Sequence, residues 1–372
     1  NNIVQSTIST NAAINANNRE HRTKSSVTVA ATSDTDESAT AGSGAIGGTA
    51  GVSAAVVTFT GKSSVKAEIA ENSIIYAGSD ITITAIYRGN LYINSIGAAA
   101  GGVAGVGADS SVLVFESLVE AKSASSLTAD TGSIVIYALS DSFVELAGSS
   151  INGAGTAAVG AAIGVIVFKG KTHAYLASGI NITVGKDITI IAFSNEKITG
   201  AVAGIGGAGT AAVGGSVAVV VMNIETTAVI DDYVTVNANG TLTISAADKS
   251  DIITVVGGVS AAGVASVGIA VETTVYQNTV TAKIGNYNHV TVGAVNMTAV
   301  AERKINSHGA MISASGAAAV QGSVIVLNIG SSTDDENANS VDGHKDLTKD
   351  AVSEASTRTD NAVSYNMGMQ IK

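Results

Sequence analysis

The amino-acid sequence repeats with a period of about 54 residues, and this period constrains the fold more than any other feature. Three kinds of position recur: an alanine that closes an apolar-x-apolar-x-Ala pattern, a lone alanine, and a bulky residue that ends a Gly/Ala/Val run. Such a period is typical of proteins in which each unit stacks on the next. The positions are Ala31, Ala85, Ala138, Ala192, Ala246 and Ala299 for the first kind, Ala67, Ala121, Ala174, Ala228 and Ala282 for the second, and Phe59, Phe115, Phe168, Met222 and Tyr276 for the third.

Each unit divides into segments that predict β-strands. In one copy, residues 207–222 are small and apolar, residues 226–236 alternate between apolar and polar, and residues 242–246 follow a turn at Gly240. Alternation combined with β-branched residues favours strands over helices. Charged and amide residues recur between these segments, at Arg88, Asp141, 195–197, 248–249 and 302–304, and they predict turns.

A strand-and-turn unit of this size cannot bury its apolar face by itself, whereas stacked copies share one continuous core. The sequence therefore predicts an all-β fold, a right-handed parallel β-helix (β-solenoid) built from about six 54-residue repeats. Since a usual solenoid coil has roughly 18 to 27 residues, we expect each repeat to form two or three coils.

The composition supports a narrow, uninterrupted β-structure. Among 372 residues there are 42 glycines, 9 tyrosines and 5 phenylalanines, and there is no proline, cysteine or tryptophan. Absent cysteine excludes disulfide scaffolds, thiolate zinc sites and thiol enzymes, and absent proline suits a chain whose amides are nearly all in hydrogen-bonded ladders. The net charge of −11 opposes binding to nucleic acid.

Several windows of about twenty residues or more carry no charge, including residues 198–224 and 305–333. Their length is that of a transmembrane helix. However, Gly, Ala, Ser, Thr and Val dominate them, glycine pairs weaken a helix, and no Lys/Arg bias flanks them. We therefore predict that these windows form solenoid core and that no segment spans a membrane.

The ends of the chain depart from the repeat. Asn1 is not an initiator methionine and no signal-like segment follows it, so we expect the chain to be excised from a longer protein or already processed. Residues 1–26, with a charged cluster at 19–22, are predicted to be an incomplete repeat or an N-terminal loop, and residues 27–330 the solenoid. Residues 331–372 are acidic, and Leu347, Ala351, Val352 and Ala355 share one helical face, which predicts a short helical or disordered cap, insertion or linker.

No constellation of residues indicates catalysis. The acidic pair Asp231–Asp232 is interpreted as part of a solvated turn, and equivalent positions of neighbouring repeats do not hold the stacked acids that a carbohydrate-cleaving solenoid needs. No two histidines are within four residues of one another, so none forms a zinc pattern. The sequence predicts no catalytic, cofactor or metal-binding residue and no enzyme activity. The histidines are His21, His173, His289, His308 and His344.

The repeated text GGAGTAAVGGSVAVVV, followed by TTAVI and VTVNANGTLTISA, resembles the repeat regions of very large secreted exoproteins of Gram-negative bacteria. The nearest type is the fusobacterial leukotoxin-like adhesins, related in plan to filamentous haemagglutinin. The resemblance covers residues 27–329. It implies secretion by a two-partner or autotransporter route, a β-helical stalk outside the cell, and roles in attachment or host-cell damage.

Together these features predict a structural stalk or adhesive repeat region of a bacterial extracellular adhesin or toxin. It would present a surface outside the cell and attach to a receptor on a host or bacterial cell. The alternative function is a self-assembling extracellular filament or matrix protein, in which copies associate end to end through exposed coils.

Overall fold

The structure is a computed structural model that describes residues 1–16 and 24–330, and it consists of three parallel β-sheets. Six long strands form the outgoing sheet, seven form the return sheet, and six short strands form the closing sheet. Within each sheet, neighbouring strands come from consecutive repeats. This arrangement confirms a parallel β-solenoid.

Each repeat forms one coil, so the expectation of two or three coils is wrong. The outgoing strand Ile188–Ala208 pairs in parallel along its whole length with Thr241–Ala262, which begins one repeat later. Every coil therefore uses its 54 residues for two strands of about 20 residues and one short strand, and the long strands span about 66 Å. Such strands are longer than the usual 3 to 10 residues.

We number the coils 1 to 6 by their outgoing strands. The outgoing sheet contains β3 (Val27–Gly47), β6 (Ile81–Gly101), β9 (Ile134–Ala154), β12 (Ile188–Ala208), β15 (Thr241–Ala262) and β18 (Ala294–Ser315). The return sheet contains β1 (Asn2–Ile8), β4 (Ala50–Ile69), β7 (Ala104–Ser123), β10 (Ala157–Leu176), β13 (Ala211–Ile230), β16 (Ala265–Ile284) and β19 (Ala318–Ile329). The closing sheet contains β2 (Ala13–Ile14), β5 (Ile74–Ala77), β8 (Ser126–Ala129), β11 (Asn181–Val184), β14 (Thr235–Ala238) and β17 (His289–Thr291).

The predicted charged turns lie in the middle of the outgoing strands instead. Arg88, Asp141 and the residues at 195–197, 248–249 and 302–304 are all inside strands that continue beyond them. Most of these side chains point outward and contact one another across coils, as where Asn195 donates a hydrogen bond of 2.7 Å to Asp141. Solvated side chains in the middle of a strand therefore resemble a turn in the sequence.

The alanine positions lie in register in the ladders. Ala31 to Ala299 are direct partners from coil to coil in the outgoing sheet, and Ala67 to Ala282 are partners in the return sheet. The bulky residues pair from Phe115 through Phe168 and Met222 to Tyr276. Phe59 lies opposite Leu113, so it is displaced from this column by two residues.

The interior narrows from one side of each coil to the other. The base half lies beside the closing sheet and contains large buried aliphatic residues such as Ile188, Ile190 and Ile230. The tip half, residues 198–222 in coil 4, ends at the turn between the outgoing and return strands. There a Cβ at Gly204 would lie 2.1 Å from the Gly215 carbonyl oxygen, so the two sheets touch through their backbones.

One column of glycines forms the tip turns. A Cβ at Gly209 would lie 2.1 Å from the Gly155 carbonyl oxygen of the previous coil, and Gly155 meets Gly102 at the same distance. The turn amides also donate to the coil before, as in the 3.2 Å bond from Gly209 N to the Ala154 oxygen. Only glycine permits this close approach of turns.

The uncharged windows form the tip halves. Residues 198–224 run along β12, around the tip turn and back along β13. Alternate side chains of this window point into the core, as predicted, but the others lie on the outer surface. Within residues 1–16 and 24–330, no helix is long and apolar enough to cross a membrane.

Residues 1–16 contribute β1 and β2, which pair in parallel with the last part of β4 and with β5. The predicted charged cluster at 19–22, His21, the acidic segment 331–372 and His344 lie outside the described residues.

Candidate functional site

Three places concentrate chemically active groups: a carboxylate cluster in the interior, a charged zone on the return sheet, and the corner between the return and closing sheets. The sequence predicted no catalytic, cofactor or metal-binding residue. In the described part of the chain, no group of three or more histidine or acidic side chains is placed to hold a metal ion.

The interior carboxylate cluster forms where coils 4 and 5 meet. Glu196 on β12 and Asp248 on β15 are each 1% exposed, and their carboxyl groups contact one another. Ser194 donates to Glu196 Oε1, and Asp248 Oδ2 accepts hydrogen bonds from Asn278 at 2.6 Å and from Ser250 at 3.1 Å. Glu196 Oε2 and Asp248 Oδ1 are buried and have no hydrogen-bond partner.

Burial raises the pKa of Glu196 well above its ordinary value, and the neighbouring Asp248 carboxylate raises it further. Burial also raises the pKa of Asp248, although hydrogen bonds from its neighbours act in the opposite direction. The phenol of Tyr276 contributes a 3.2 Å bond to Asp248 and has a raised pKa, again mainly because it is buried. Burial therefore favours the protonated forms of both carboxyl groups, and it leaves the cluster without access for a substrate.

Comparing equivalent repeat positions missed this pair. Glu196 is the direct ladder partner of Ser250, and Asp248 is the partner of Ser194, so the two acids are offset by two residues. The signal was the alternation itself: Glu196 lies four residues after Ala192, and Asp248 lies two after Ala246, so both point to the interior side.

The charged zone covers the outer face of the return sheet in its base half. Lys122 lies between Glu68 at 2.8 Å and Glu120 at 3.6 Å. Glu120 is on the same strand as Lys122, β7, and Glu68 is on the adjacent strand, β4. Burial acts to lower the pKa of Lys122, but the hydrogen bond with Glu68 and the neighbouring charges together raise it above its ordinary value. Farther along, Glu225 contacts Lys171 at 2.8 Å. The Lys122–Glu68 and Lys171–Glu225 pairs join neighbouring coils.

His173 is the histidine of this zone, and its Nε2 lies 3.4 Å from Glu225 Oε1. Burial lowers the pKa of His173, while Glu225 partly counteracts this effect. His289 lies at the start of β17 and His308 within β18. The structure brings none of these three together with another histidine, and it places no sequence-predicted site residue in a catalytic arrangement.

The third place is the corner ridge, formed by the connections between return and closing strands: residues 9–12, 70–73, 124–125, 177–180, 231–234 and 285–288. In each four-residue connection the third residue has a positive φ. Asn11, Asn72 and Gly179 supply it in three coils, and these residue types tolerate the left-handed conformation. The other two coils have tyrosine there.

Tyr233 and Tyr287, the tyrosine pair, have φ of 59° and 57° and side chains that are 62% and 74% exposed. Their rings stack with centroids 5.0 Å apart and an angle of 13° between planes. A left-handed conformation at a non-glycine residue costs roughly 1–2 kcal/mol. The fold does not require tyrosine here, because asparagine and glycine make the same turn in other coils.

A notch interrupts the ridge at coil 2. The connection 124–125 is two residues shorter than its neighbours, so the turns of coils 1 and 3 stand above it on either side. The notch has a volume of about 300 Å³ and is lined by Glu71, Asn72, Ser125 and Ser178. It is a polar recess on the same edge of the molecule as the tyrosine pair.

The ridge therefore combines exposed aromatic faces, hydroxyl groups, amides and the carboxylates of Glu71, Asp231 and Asp232 along one edge. It is held rigidly, since Asp232 Oδ1 accepts a 2.6 Å bond from Asn286 N and Asn288 Oδ1 accepts one of the same length from Val234 N. Asp231 and Asp232 lie next to one another on this ridge, and burial, together with the Asp232 carboxylate, raises the pKa of Asp231. Such a surface is suited to binding. The sequence contained one usable signal, a tyrosine at a repeat position that elsewhere holds asparagine or glycine.

Searches against protein-family models, characterised proteins and solved structures return no match for this chain.

Proposed function

We propose that this chain is a structural and adhesive repeat region of an extracellular bacterial adhesin or toxin-like protein, and that it contacts a cell-surface receptor through the corner ridge. The observation that carries this proposal is the tyrosine pair. Two successive coils hold an exposed aromatic residue in a conformation that disfavours it, and retained strain of this kind points to function.

The solenoid supports a presenting role because each coil satisfies the backbone of the next through continuous parallel ladders. One coil per repeat also changes what is presented. Each set of 54 residues adds only about 4.8 Å along the axis but provides strands about 66 Å long. The proposed role is therefore to display a broad surface, with less reach than a solenoid of shorter coils.

Cell attachment tests the proposal. The purified chain is labelled, and its binding to host cells and to bacteria is compared with that of the double variant Tyr233→Asn/Tyr287→Asn. Asparagine fits the left-handed turn, so we expect the midpoint of unfolding to change little while attachment falls at least about tenfold, as for loss of an aromatic anchor.

A matched control is Tyr92→Asn, because Tyr92 also belongs to an aromatic pair, with Phe143 at 5.7 Å, but lies in ordinary strand backbone on the outgoing sheet. We expect this variant to attach like the wild type. Failure of the wild-type chain to bind any cell would contradict adhesion. Equal attachment by the double variant would remove the corner ridge as the contact surface.

The extracellular location is tested separately. Antibodies against the chain should label intact cells of the producing bacterium, and mild protease should remove the signal. Labelling only after the cells are opened would contradict the proposed location.

A further inference from the structure

The outer face of the return sheet in its tip half carries no charged side chain in any of coils 1 to 6. In β4 this face runs from Ala50 to Thr60, and the equivalent stretch of β13 runs from Ala211 to Val221. We call this surface the apolar face. Its most regular column consists of valines that are direct ladder partners: Val52, Val106, Val159, Val213, Val267 and Val320.

The apolar face is exposed over an unusually large area. Val52 is 69% exposed, Val56 66% and Ile269 52%, and Ile163 and Val213 are exposed as well. Eleven residues of strand by six strands cover about 36 Å by about 29 Å, or about 1,000 Å². Monomeric proteins rarely expose apolar patches above a few hundred Å². A stable dimer buries about 800 Å² on each partner, so this face alone is large enough.

The chemistry of the apolar face favours a second copy of the chain as its partner. Its backbone amides are already used in the ladders, and it offers no charge to direct a polar partner. Its side chains instead form columns that repeat with the strand spacing of about 4.8 Å. A second copy has columns with the same spacing, so the two faces match across every coil, and two sheets pack closely in this way.

The rest of the surface limits the contact to this face. On the return sheet the charged zone begins beyond it with Lys62, Glu116 and Lys169, which would remain in water at the rim. The corresponding tip surface of the outgoing sheet also exposes apolar residues such as Ile96 and Ile312, but Asn94, Glu145 and His308 interrupt it.

We propose that the chain forms a dimer in which the apolar faces of two copies pack against one another. The same surface is used on both subunits, so the contact is isologous and the assembly closes at two copies. This differs from end-to-end association of exposed coils, which continues without limit. The dimer goes beyond the proposed adhesive function and does not depend on it.

The mass in solution tests the dimer. We expect light scattering across about 1–100 µM to give twice the monomer mass of 36.7 kDa. The variant Val213→Lys/Val217→Lys places two ammonium groups in the contact, and desolvating them should weaken dimerisation at least about a hundredfold. The matched control is Asn223→Lys/Thr227→Lys, which makes the same charge change on the same side of β13, with the same spacing, outside the apolar face.

Circular dichroism should first show that both variants keep the β-sheet spectrum. The measured masses then support or overturn the dimer. A dimer that Val213→Lys/Val217→Lys dissociates and the control retains supports the proposal. A wild-type monomer throughout the range, or equal dissociation by both variants, overturns it. A mass that grows steadily with concentration indicates end-to-end stacking, and a monomer that floats with phosphatidylcholine vesicles indicates a lipid partner, so both also overturn it.

Discussion

The base half and the tip half of each coil use opposite distributions of side chains. In the base half, large aliphatic residues such as Ile190 fill the interior, and ion pairs such as Lys122–Glu68 cover the outside. In the tip half, glycines bring the sheets into backbone contact, and valines such as Val213 are on the outside. The same ladder connects both halves, so hydrogen bonding does not distinguish them.

The two halves therefore owe their stability to different causes. The base half buries apolar area, which stabilises by roughly 25 cal/mol per Å² removed from water. The tip half buries large side chains such as Ile198 and Met222 only near the base half, and nearer the turn it depends on close backbone approach. A small side chain in the interior therefore contributes in a different way from a large one. It buries little apolar area, but it allows the two sheets to approach closely.

The largest expected effect is in the base half. Ile190→Ala removes a fully buried side chain, and we expect a loss of about 2–5 kcal/mol in the free energy of unfolding, measured by urea denaturation. The neighbouring Ile191 points outward, so Ile191→Ala should cost less than about 1 kcal/mol. Similar losses for the two variants would show that the core does not lie where the alternation places it.

A smaller effect is expected at the tip turn. In Gly209→Ala the new methyl would meet the Gly155 oxygen at 2.1 Å, so the turns must separate, at a cost of about 1–3 kcal/mol. At Gly207 the nearest atom would be 4.0 Å away, and Gly207→Ala should leave the denaturation midpoint unchanged or slightly higher. If Gly207→Ala destabilises as much as Gly209→Ala, turn stacking is not what holds the tip.

The smallest effect concerns Glu196, which lies at the boundary of the two halves. Its folded-state pKa is raised above the ordinary 4.5, so its contribution to stability is present below pH 4.5 and is lost as pH rises through the raised value. Glu196→Gln keeps a hydrogen-bond donor for Asp248 without the charge. We expect the variant to gain stability relative to the wild type as pH rises, measured by denaturation midpoints between pH 4 and about 9.

Other carboxyl groups also change the stability with pH, so the effect of Glu196 must be separated from theirs. Glu225, whose pKa is lowered mainly by its hydrogen bond with Lys171, acts with the opposite sign, so only the difference between Glu196→Gln and the wild type isolates the buried pair. A difference that stays constant with pH would mean that Glu196 does not change its protonation in this range.

Much of the fold was predictable from local patterns. Alternation from Ala192 through Ile198 shows which side chains enter the core, and the alanine columns show the repeat register. The coil count was not predictable in this way. Outward residues such as Asn195 and Lys197 look like a turn, because a solvated strand centre and a turn select the same residue types.

The candidate site was harder to predict from the sequence than the fold. Tyr233 and Tyr287 occupy a conformation that tyrosine rarely adopts, so no local preference indicates it. The contact of Glu196 with Asp248 joins residues 52 positions apart whose ladder partners are serines. The contact between the two acids does not follow from equivalent repeat positions, because these side chains reach diagonally between coils.

The period, the strands, the side of each residue and a core of small side chains are encoded in local sequence patterns, because these depend on neighbours within a few residues. The folded stack was needed to show that one repeat makes one coil, that valines cover the tip surface, and that Glu196 and Asp248 meet. These depend on which segments about 54 residues apart lie side by side. That pairing is set by the packing of the whole stack, since parallel ladders are closed by long connections and not by local turns.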